Sequence, residues 1–562
     1  MQGTTSNYKK SMFEKLELLY GEQAEEVYRS IETLINKYIE KNGEEKPWVT
    51  ENDVMLITYG DSVKEKDKAP LETLKNFLKD YVDSVSAVHI LPFYPYTSDD
   101  GFSVVDYREI NPELGEWSHV NDLSQSFDLM FDGVINHISK SSDWFQGFLN
   151  GDEKYKNYFI EADPTLDYSS VTRPRALPLL TPFETNEGKK HVWTTFSEDQ
   201  IDLNFKNPEV LLEVLDILNM YVVNGARYIR LDAIGFAWKK LGTTCMHLDE
   251  THALIKLMRE VLEQSAPGTI LITETNVPHK ENISYFGNGY DEAQMVYQFP
   301  LPPLTLFSFQ TESTKKLLNW LESLDSVSSN TSYFNFLASH DGIGMRPTEG
   351  ILTEQEKTYM VEKAQEHGGR VSFKDNGDGT KSPYELNINY LDALSHPDES
   401  EDIHVERFIA AQSFLLSVIG VPGIYIHSLL GSQNYYQGVE ESGINRRINR
   451  EKLEKETLIK ELNSNTLRSK VFSKLSSLIK IRRKQKAFHP NAKQDVVKLS
   501  DKIISFTRHN EKTGDRVLVL INVSKDGVSL DTDYTGQDII SGEEVAGKIN
   551  LKPFQTMWLA LN

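Results

Sequence analysis

Four short segments place carboxylates beside cations or histidines in a way that suits cleavage of a glycosidic bond. They read Asp132-Gly133-Val134-Ile135-Asn136-His137, Arg230-Leu231-Asp232-Ala233, Thr273-Glu274 and Ser339-His340-Asp341. Cleavage with retention needs an ionised carboxylate as nucleophile and a second, protonated carboxyl about 5 Å away to protonate the leaving oxygen. Asp232 suits the first role. Arg230, two residues earlier on a strand, points to the same face, and its fixed charge is expected to lower the pKa of Asp232. Glu274 follows the apolar run Ile270-Leu271-Ile272. Partial burial beside other carboxylates is expected to raise its pKa and keep its proton. Asp341, next to His340, would stabilise the positive charge that develops on the sugar ring, while His340 and His137 hydrogen-bond sugar hydroxyls. Taken singly, each acid could be a helix cap, a loop solubiliser or an ion-pair partner, and Asp132 with His137 could be a structural pair at a barrel rim. Catalysis is indicated by the three acids jointly, at the ends of the fourth, fifth and seventh strand-like runs.

Those runs belong to a regular pattern. From Val54 onward, short apolar stretches alternate with amphipathic ones, as in a parallel sheet with crossover helices. Candidate strands lie at 54–59, 87–91, 129–135, 227–233, 269–273, 295–299, 334–338 and 423–426. The fold class is therefore α/β, a (β/α)8 TIM barrel, whose active site lies at the C-terminal ends of the strands. Two helices support the reading. Asn207-Pro208 supplies a cap and a first-turn proline before an apolar face that Gly225 terminates. Leu254, Leu257, Met258, Val261 and Leu262 share one face of the next helix, and Pro267-Gly268 leads into the fifth strand. The remaining organisation follows. A helical extension occupies 1–50, with its apolar periodicity running from about Asn7 to Asn42 and broken at Gly43. The barrel takes 51–138 and 206–490, with insertions at 139–205 after the third strand and 347–399 after the seventh. A small antiparallel β domain fills 491–562, with strands expected at 503–506, 517–523 and 556–561.

Bulk properties narrow the function. The chain has 562 residues, a net charge of -23, 39% hydrophobic and 25% charged residues, and one cysteine. No apolar run reaches the ~18 residues of a membrane span, so no membrane partner is expected. The acidic balance disfavours nucleic acid, which needs clustered Lys and Arg. No export signal is visible at the N-terminus, and a single cysteine suits a reducing compartment, so the expected location is cytoplasmic. Cys245 has no histidine spaced to activate it and reads as a packed thiol. Self-association as a homodimer is left open.

The same residues resemble a known family. DGVINH over 132–137, RLDA over 230–233, Glu274 and His340-Asp341, in that order, are similar to the α-amylase superfamily, glycoside hydrolase family 13. Within it the chain resembles the sucrose phosphorylase branch through Leu91-Pro92-Phe93-Tyr94-Pro95, the run 98–107, Gly242-Thr243-Thr244-Cys245, and Arg446 with Ile448-Asn449-Arg450. The stretches 171–183 and 272–279 look closest to glucosylglycerate phosphorylases. The resemblance implies Asp232 as nucleophile, Glu274 as acid/base and Asp341 as transition-state stabiliser. It also implies a glucose subsite that includes Asp99, Phe102, His137, Arg230, His340 and Arg446. The expected reaction is phosphorolysis of 2-O-α-D-glucosylglycerate to α-D-glucose 1-phosphate and D-glycerate. No cofactor and no metal are expected, and inorganic phosphate is the co-substrate. Arg173 and Arg175, flanked by Pro174 and Pro178, are the candidates to hold phosphate or the glycerate carboxylate, since guanidinium groups bind such anions bidentately. Rival readings are phosphorolysis of sucrose, sucrose 6'-phosphate or glucosylglycerol, an α-glucosidase or transglucosidase, and a barrel without catalysis.

Overall fold

The computed structural model of the protein describes residues 2–41, 46–175, 177–324, 327–375 and 380–562. Gly43, read as the stop of the N-terminal helical run, lies outside the described residues. Eight strands close a barrel: β1 Met55–Thr58, β2 Ala87–Ile90, β3 Asp128–Gly133, β4 Ala226–Leu231, β5 Ile270–Thr273, β6 Met295–Tyr297, β7 Ser332–Asn335 and β8 Val421–Tyr425. Each strand neighbours its predecessor in the chain, and β8 returns to β1. The strands read as nearly continuous apolar runs because parallel barrel strands are covered on both faces. Only one strand position is not buried, Asp128 at the start of β3.

The chain divides into two compact units, the first formed by 1–48, 90–275 and 283–296. It contains β3, β4 and β5 with the helices α3 Pro208–Val223 and α4 Asp249–Ser265. Asn207 caps α3 by accepting from the Glu209 N–H at 3.1 Å. The predicted face of α4, Leu254, Leu257, Met258, Val261 and Leu262, is buried, and each such side chain contributes roughly 1.5–3 kcal/mol of burial free energy. Gly268, between α4 and β5, has φ 85°. A Cβ there would lie 2.7 Å from the Lys46 backbone nitrogen, so the turn requires glycine. The N-terminal extension is two helices, α1 Gln2–Tyr20 and α2 Ala24–Tyr38, broken at Gly21, where the sequence suggested one run. They lie on α3 and α4: Lys15 pairs with Glu260 at 2.9 Å, Lys37 with Asp216 at 2.5 Å, and the Tyr38 hydroxyl donates to Asp216 at 2.9 Å. The insertion after β3 is built on the pairing of His137–Ser139 with Gln200–Asp202 and on a hairpin, Leu180–Thr185 with Gly188–Trp193.

The second unit is formed by 49–89, 276–282 and 297–562. It holds β1, β7 and β8, the insertion after β7 and the C-terminal domain. The seventh strand departs from expectation: it spans Ser332–Asn335, and Phe336 and Leu337 are buried outside the ladder. Burial without pairing produces the same apolar run, which periodicity cannot resolve. The insertion after β7 contains a helix, Glu354–Glu366, with a Thr353/Glu356 capping box, and the antiparallel pair Arg370–Asp375 with Lys381–Asn387. The C-terminal domain is a six-stranded antiparallel sheet. Three of its strands, Lys493–Val496, Val528–Asp538 and Glu544–Leu551, were not expected, because their alternating exposed positions are filled by polar residues.

Candidate active site

In the first unit, β3, β4 and β5 end together. Asp132 is in register with Arg230, and Thr273 with Leu231. One step further, the Asp232 N–H donates to the Gly133 carbonyl and the Glu274 N–H to the Leu231 carbonyl, both at 3.2 Å. Asp232 and Glu274 therefore stand on adjacent strand ends, with backbones about 4.8 Å apart, the spacing of neighbouring strands. Their side chains meet one guanidinium. Arg230 Nη1 donates to Asp132 at 2.5 Å and to Asp232 at 2.8 Å, and Nη2 lies 3.9 Å from Glu274 Oε1. The Ala233 N–H donates to Glu274 Oε2 at 3.1 Å. Ala233 has φ 49°, so the chain turns sharply after Asp232 and aims this N–H back at the acid.

Arg230 lowers the pKa of Asp232 as expected, but the net shift is upward. Burial dominates and pushes the carboxyl above its usual range, while Arg230 and His137 pull it down and Asp132 pushes it up. Arg230 is shared, and its shortest bond goes to Asp132, so Asp232 receives only part of its charge. The structural pairing of Asp132 with His137 is absent among the described residues. His137 Nε2 instead donates to the Phe102 carbonyl at 2.9 Å, and burial holds its imidazole below the usual range.

Around these acids the first unit assembles other expected sugar-binding residues. The Phe102 ring centroid lies 5.7 Å from the Arg230 guanidinium. Gln200 Nε2 donates to the Phe102 carbonyl at 3.0 Å and to Asp99 at 3.3 Å. Asp99 and Asp100 have φ of 55° and 46°, a strained conformation for side chains with a Cβ. Arg175 donates to Asp99 at 3.1 Å and lies over Phe196, 5.6 Å from the ring centroid. Arg173 is exposed and makes no ion pair among the described residues. The sequence reading missed Gln200 and Phe196; both sit in the insertion after β3, where no motif marks them. Lys239 is a further buried cation, 2.6 Å from Asp202 and 3.0 Å from Asn136 Oδ1. It neutralises a carboxylate that has no exposed surface. Cys245 is buried and its Sγ donates to the Lys240 carbonyl at 3.3 Å.

In the second unit, His340 and Asp341 follow β7. Asp341 Oδ1 lies 2.7 Å from Arg446 Nη1, 3.5 Å from His340 Nε2 and 3.7 Å from Arg450 Nη2. Arg446 is held from behind by Glu385, with Nε to Oε1 at 3.0 Å and Nη2 to Oε2 at 2.8 Å. Glu385 also accepts from Asn387 Nδ2 at 2.6 Å. Arg450 donates from Nε to the His340 carbonyl at 2.7 Å, and Tyr59 meets the His340 ring edge-on at 6.0 Å. Glu385, one charge in a polar insertion, carries no sequence signal that separates it from its solvated neighbours. Among the described residues, no group of three or more His, Cys, Asp or Glu side chains could hold a metal ion, and no helix is long and apolar enough to cross a membrane.

Two carboxylates on adjacent strand ends of a closed parallel barrel are an arrangement that can cleave a glycosidic bond. The chain belongs to the α-amylase family: residues 76–363 match its catalytic domain. It is 49% identical over 564 residues, the whole of both chains, to the glucosylglycerate phosphorylase of Allomeiothermus silvanus. It is 29% identical over 475 residues to the sucrose phosphorylase of Streptococcus mutans, covering 82% of this chain and 93% of that one. The solved structure of sucrose 6F-phosphate phosphorylase from Thermoanaerobacter thermosaccharolyticum superposes with a TM-score of 0.74 at 25% identity, over 91% of this chain and 99% of that one.

Proposed function

We propose that this protein is a retaining glycoside phosphorylase that converts 2-O-α-D-glucosylglycerate and phosphate into α-D-glucose 1-phosphate and D-glycerate. The reading rests above all on the full-length identity of 49% to a glucosylglycerate phosphorylase, with sucrose-directed relatives at 29% and 25%. The placement of Asp232 and Glu274 on one guanidinium supports the chemistry.

In the first half-reaction Asp232 attacks the anomeric carbon from the face opposite the glycosidic oxygen. Glu274 delivers its proton to that oxygen, and glycerate leaves. A covalent, retaining route uses a short carboxyl separation of about 5–5.5 Å, and the position of both acids on neighbouring strand ends supports such a route. Burial makes the Asp232 carboxylate poorly solvated, and Arg230 keeps it oriented. In the second half-reaction phosphate attacks the β-glucosyl-enzyme while Glu274, now ionised, takes its proton. Two inversions leave the product in the α configuration. Asp341, fixed by Arg446, stabilises the positive charge on the ring in both steps. Glu385 neutralises the far edge of Arg446, so the cation does not cancel the negative charge that Asp341 must present. Asp99, Phe102, His137 and His340 serve the glucose unit, and Arg173 and Arg175 serve phosphate and the glycerate carboxylate in turn. The lone cysteine is in keeping with a reducing, cytoplasmic setting.

The test is to trap the intermediate. Glu274→Gln, given α-D-glucosyl fluoride, whose leaving group needs no proton, should accumulate a hexosyl adduct on a peptide containing Asp232. Adding phosphate, whose dianion can attack without giving up its proton to Glu274, should discharge it to glucose 1-phosphate. An adduct on another residue, or discharge by water at the same rate with and without phosphate, would overturn the proposal.

A further inference from the structure

The loop after β4 carries strain that the catalytic residues do not explain. Cys245 and His247 have φ of 51° and 58°, left-handed backbone that is unfavourable for any residue with a Cβ and persists only where surrounding contacts enforce it. On its inner side, His247 Nδ1 and the Tyr285 hydroxyl share a 2.6 Å hydrogen bond, and the His247 N–H donates to the Gly235 carbonyl at 3.2 Å. Gly235 is what lets the hydroxyl come close, since a Cβ there would meet it at 3.0 Å. The Tyr285 ring is stacked on His252 at 4.7 Å, and His252 Nδ1 lies 2.6 Å from Glu292 Oε1. Tyr285 is fully buried and thus held from ring to hydroxyl.

The outer side of the same loop holds another segment. The Thr243 carbonyl accepts from Ser170 Oγ at 3.1 Å and the Thr244 carbonyl from the Thr172 N–H at 2.9 Å. Cys245 packs in a small cluster with Val171, Leu179 and Trp193. Arg173 follows Thr172 directly. The arginine segment is therefore tied on both flanks to the 243–245 stretch, by the Thr172 N–H before it and by the packing of Leu179 in the Cys245 cluster after it.

We propose that Tyr285 and His247 are positioning residues which, through the strained 242–247 loop, place the Arg173–Arg175 segment and so set the affinity for phosphate and for the carboxylate of the leaving group. The inference rests on the anion-binding role given to those arginines above. Neither residue has to touch substrate. Relaxation of the loop would move two backbone acceptors, and the arm bearing both guanidinium groups would follow.

The test uses Tyr285→Phe, which keeps the ring and its stack and removes only the hydroxyl, with α-D-glucosyl fluoride as a donor that lacks a carboxylate. KM for phosphate should rise about five- to tenfold, the equivalent of one hydrogen bond, and inhibition by glycerate should weaken by a similar factor. KM for the fluoride and its hydrolysis without phosphate should stay within about twofold. His247→Val should reproduce the effect. His247→Asn, which tolerates left-handed backbone, should restore most of the affinity. Unchanged phosphate KM in Tyr285→Phe, or a loss spread equally over phosphorolysis and hydrolysis, would overturn the inference. The doubly substituted Arg173→Ala/Arg175→Ala enzyme separates the two levels. If it raises phosphate KM and Tyr285→Phe does not, the positioning role alone fails. If it leaves phosphate KM unchanged, the anion role fails and the positioning role falls with it.

Discussion

Replacing Lys239 with methionine probes the ion pair that ties the insertion after β3 to the barrel. Lys239 Nζ lies 2.6 Å from Asp202 Oδ2 and 3.0 Å from Asn136 Oδ1. Methionine preserves the length of the side chain and deletes its charge. Asp202 would keep three donors, the Thr195 N–H and hydroxyl at 2.7 Å each and Asn136 Nδ2 at 3.3 Å, but it would lose Lys239, its ion-pair partner among the described residues. Removing one partner of a buried pair costs about 3–5 kcal/mol. The three remaining donors argue for the lower end, about 3 kcal/mol. Asp202→Asn in the same chain removes the stranded charge, so the double variant should recover about 2 kcal/mol of that loss. Urea unfolding followed by circular dichroism reads the stability, and limited proteolysis reads the insertion itself. Strand Gln200–Asp202 also carries Gln200, which contacts Asp99 and Phe102, so the single variant should lose affinity for the glucosyl donor. A cost under about 1 kcal/mol for Lys239→Met, or a double variant less stable than the single, would refute the reasoning.

Other outcomes follow from the same structure. Glu399 is held well below the usual carboxylate range by the Arg407 guanidinium, helped by Lys525. A depressed folded-state pKa gives stability that is present above the unfolded value of about 4.3 and lost as pH falls through the folded value. Glu399→Gln should therefore destabilise at pH 7 by roughly 1.5–3 kcal/mol and by much less near pH 2, as read by denaturant midpoints at the two pH values. Gly268→Ala, with φ 85° and a 2.7 Å approach to the Lys46 backbone, should cost about 1–2 kcal/mol or more and lower the thermal midpoint. Glu385→Gln should leave Arg446 half-anchored and lower kcat by about tenfold to a hundredfold, or roughly 1.4–2.7 kcal/mol of transition-state stabilisation, with a smaller effect on KM.

Much of this architecture was legible in the sequence because parallel strands and amphipathic helices print their burial directly into residue type. Ile270-Leu271-Ile272 before Glu274 and the Asn207-Pro208 cap of α3 are local signals with one structural meaning. Strands such as Val528–Asp538 escaped notice because one face is solvated and their polar alternation resembles loop. Phe336 and Leu337 misled for the opposite reason, since they are buried without pairing. At the site, the acids stood out because strand ends were recognisable. The net upward shift of Asp232 comes from burial, and the sharing of Arg230 with Asp132 depends on register between β3 and β4; neither can be read along one strand. Glu385 and Gln200 act from insertions whose folding is set by long-range packing.

The most direct test of the central claim is the product formed from 2-O-α-D-glucosylglycerate, sucrose, sucrose 6'-phosphate and glucosylglycerol, each with and without phosphate, with Asp232→Ala as the blank. The account predicts α-D-glucose 1-phosphate from glucosylglycerate, dependent on phosphate and abolished in the blank, with little from the other three donors. Free glucose released at a rate indifferent to phosphate, or a clear preference for a donor without a carboxylate, would contradict it.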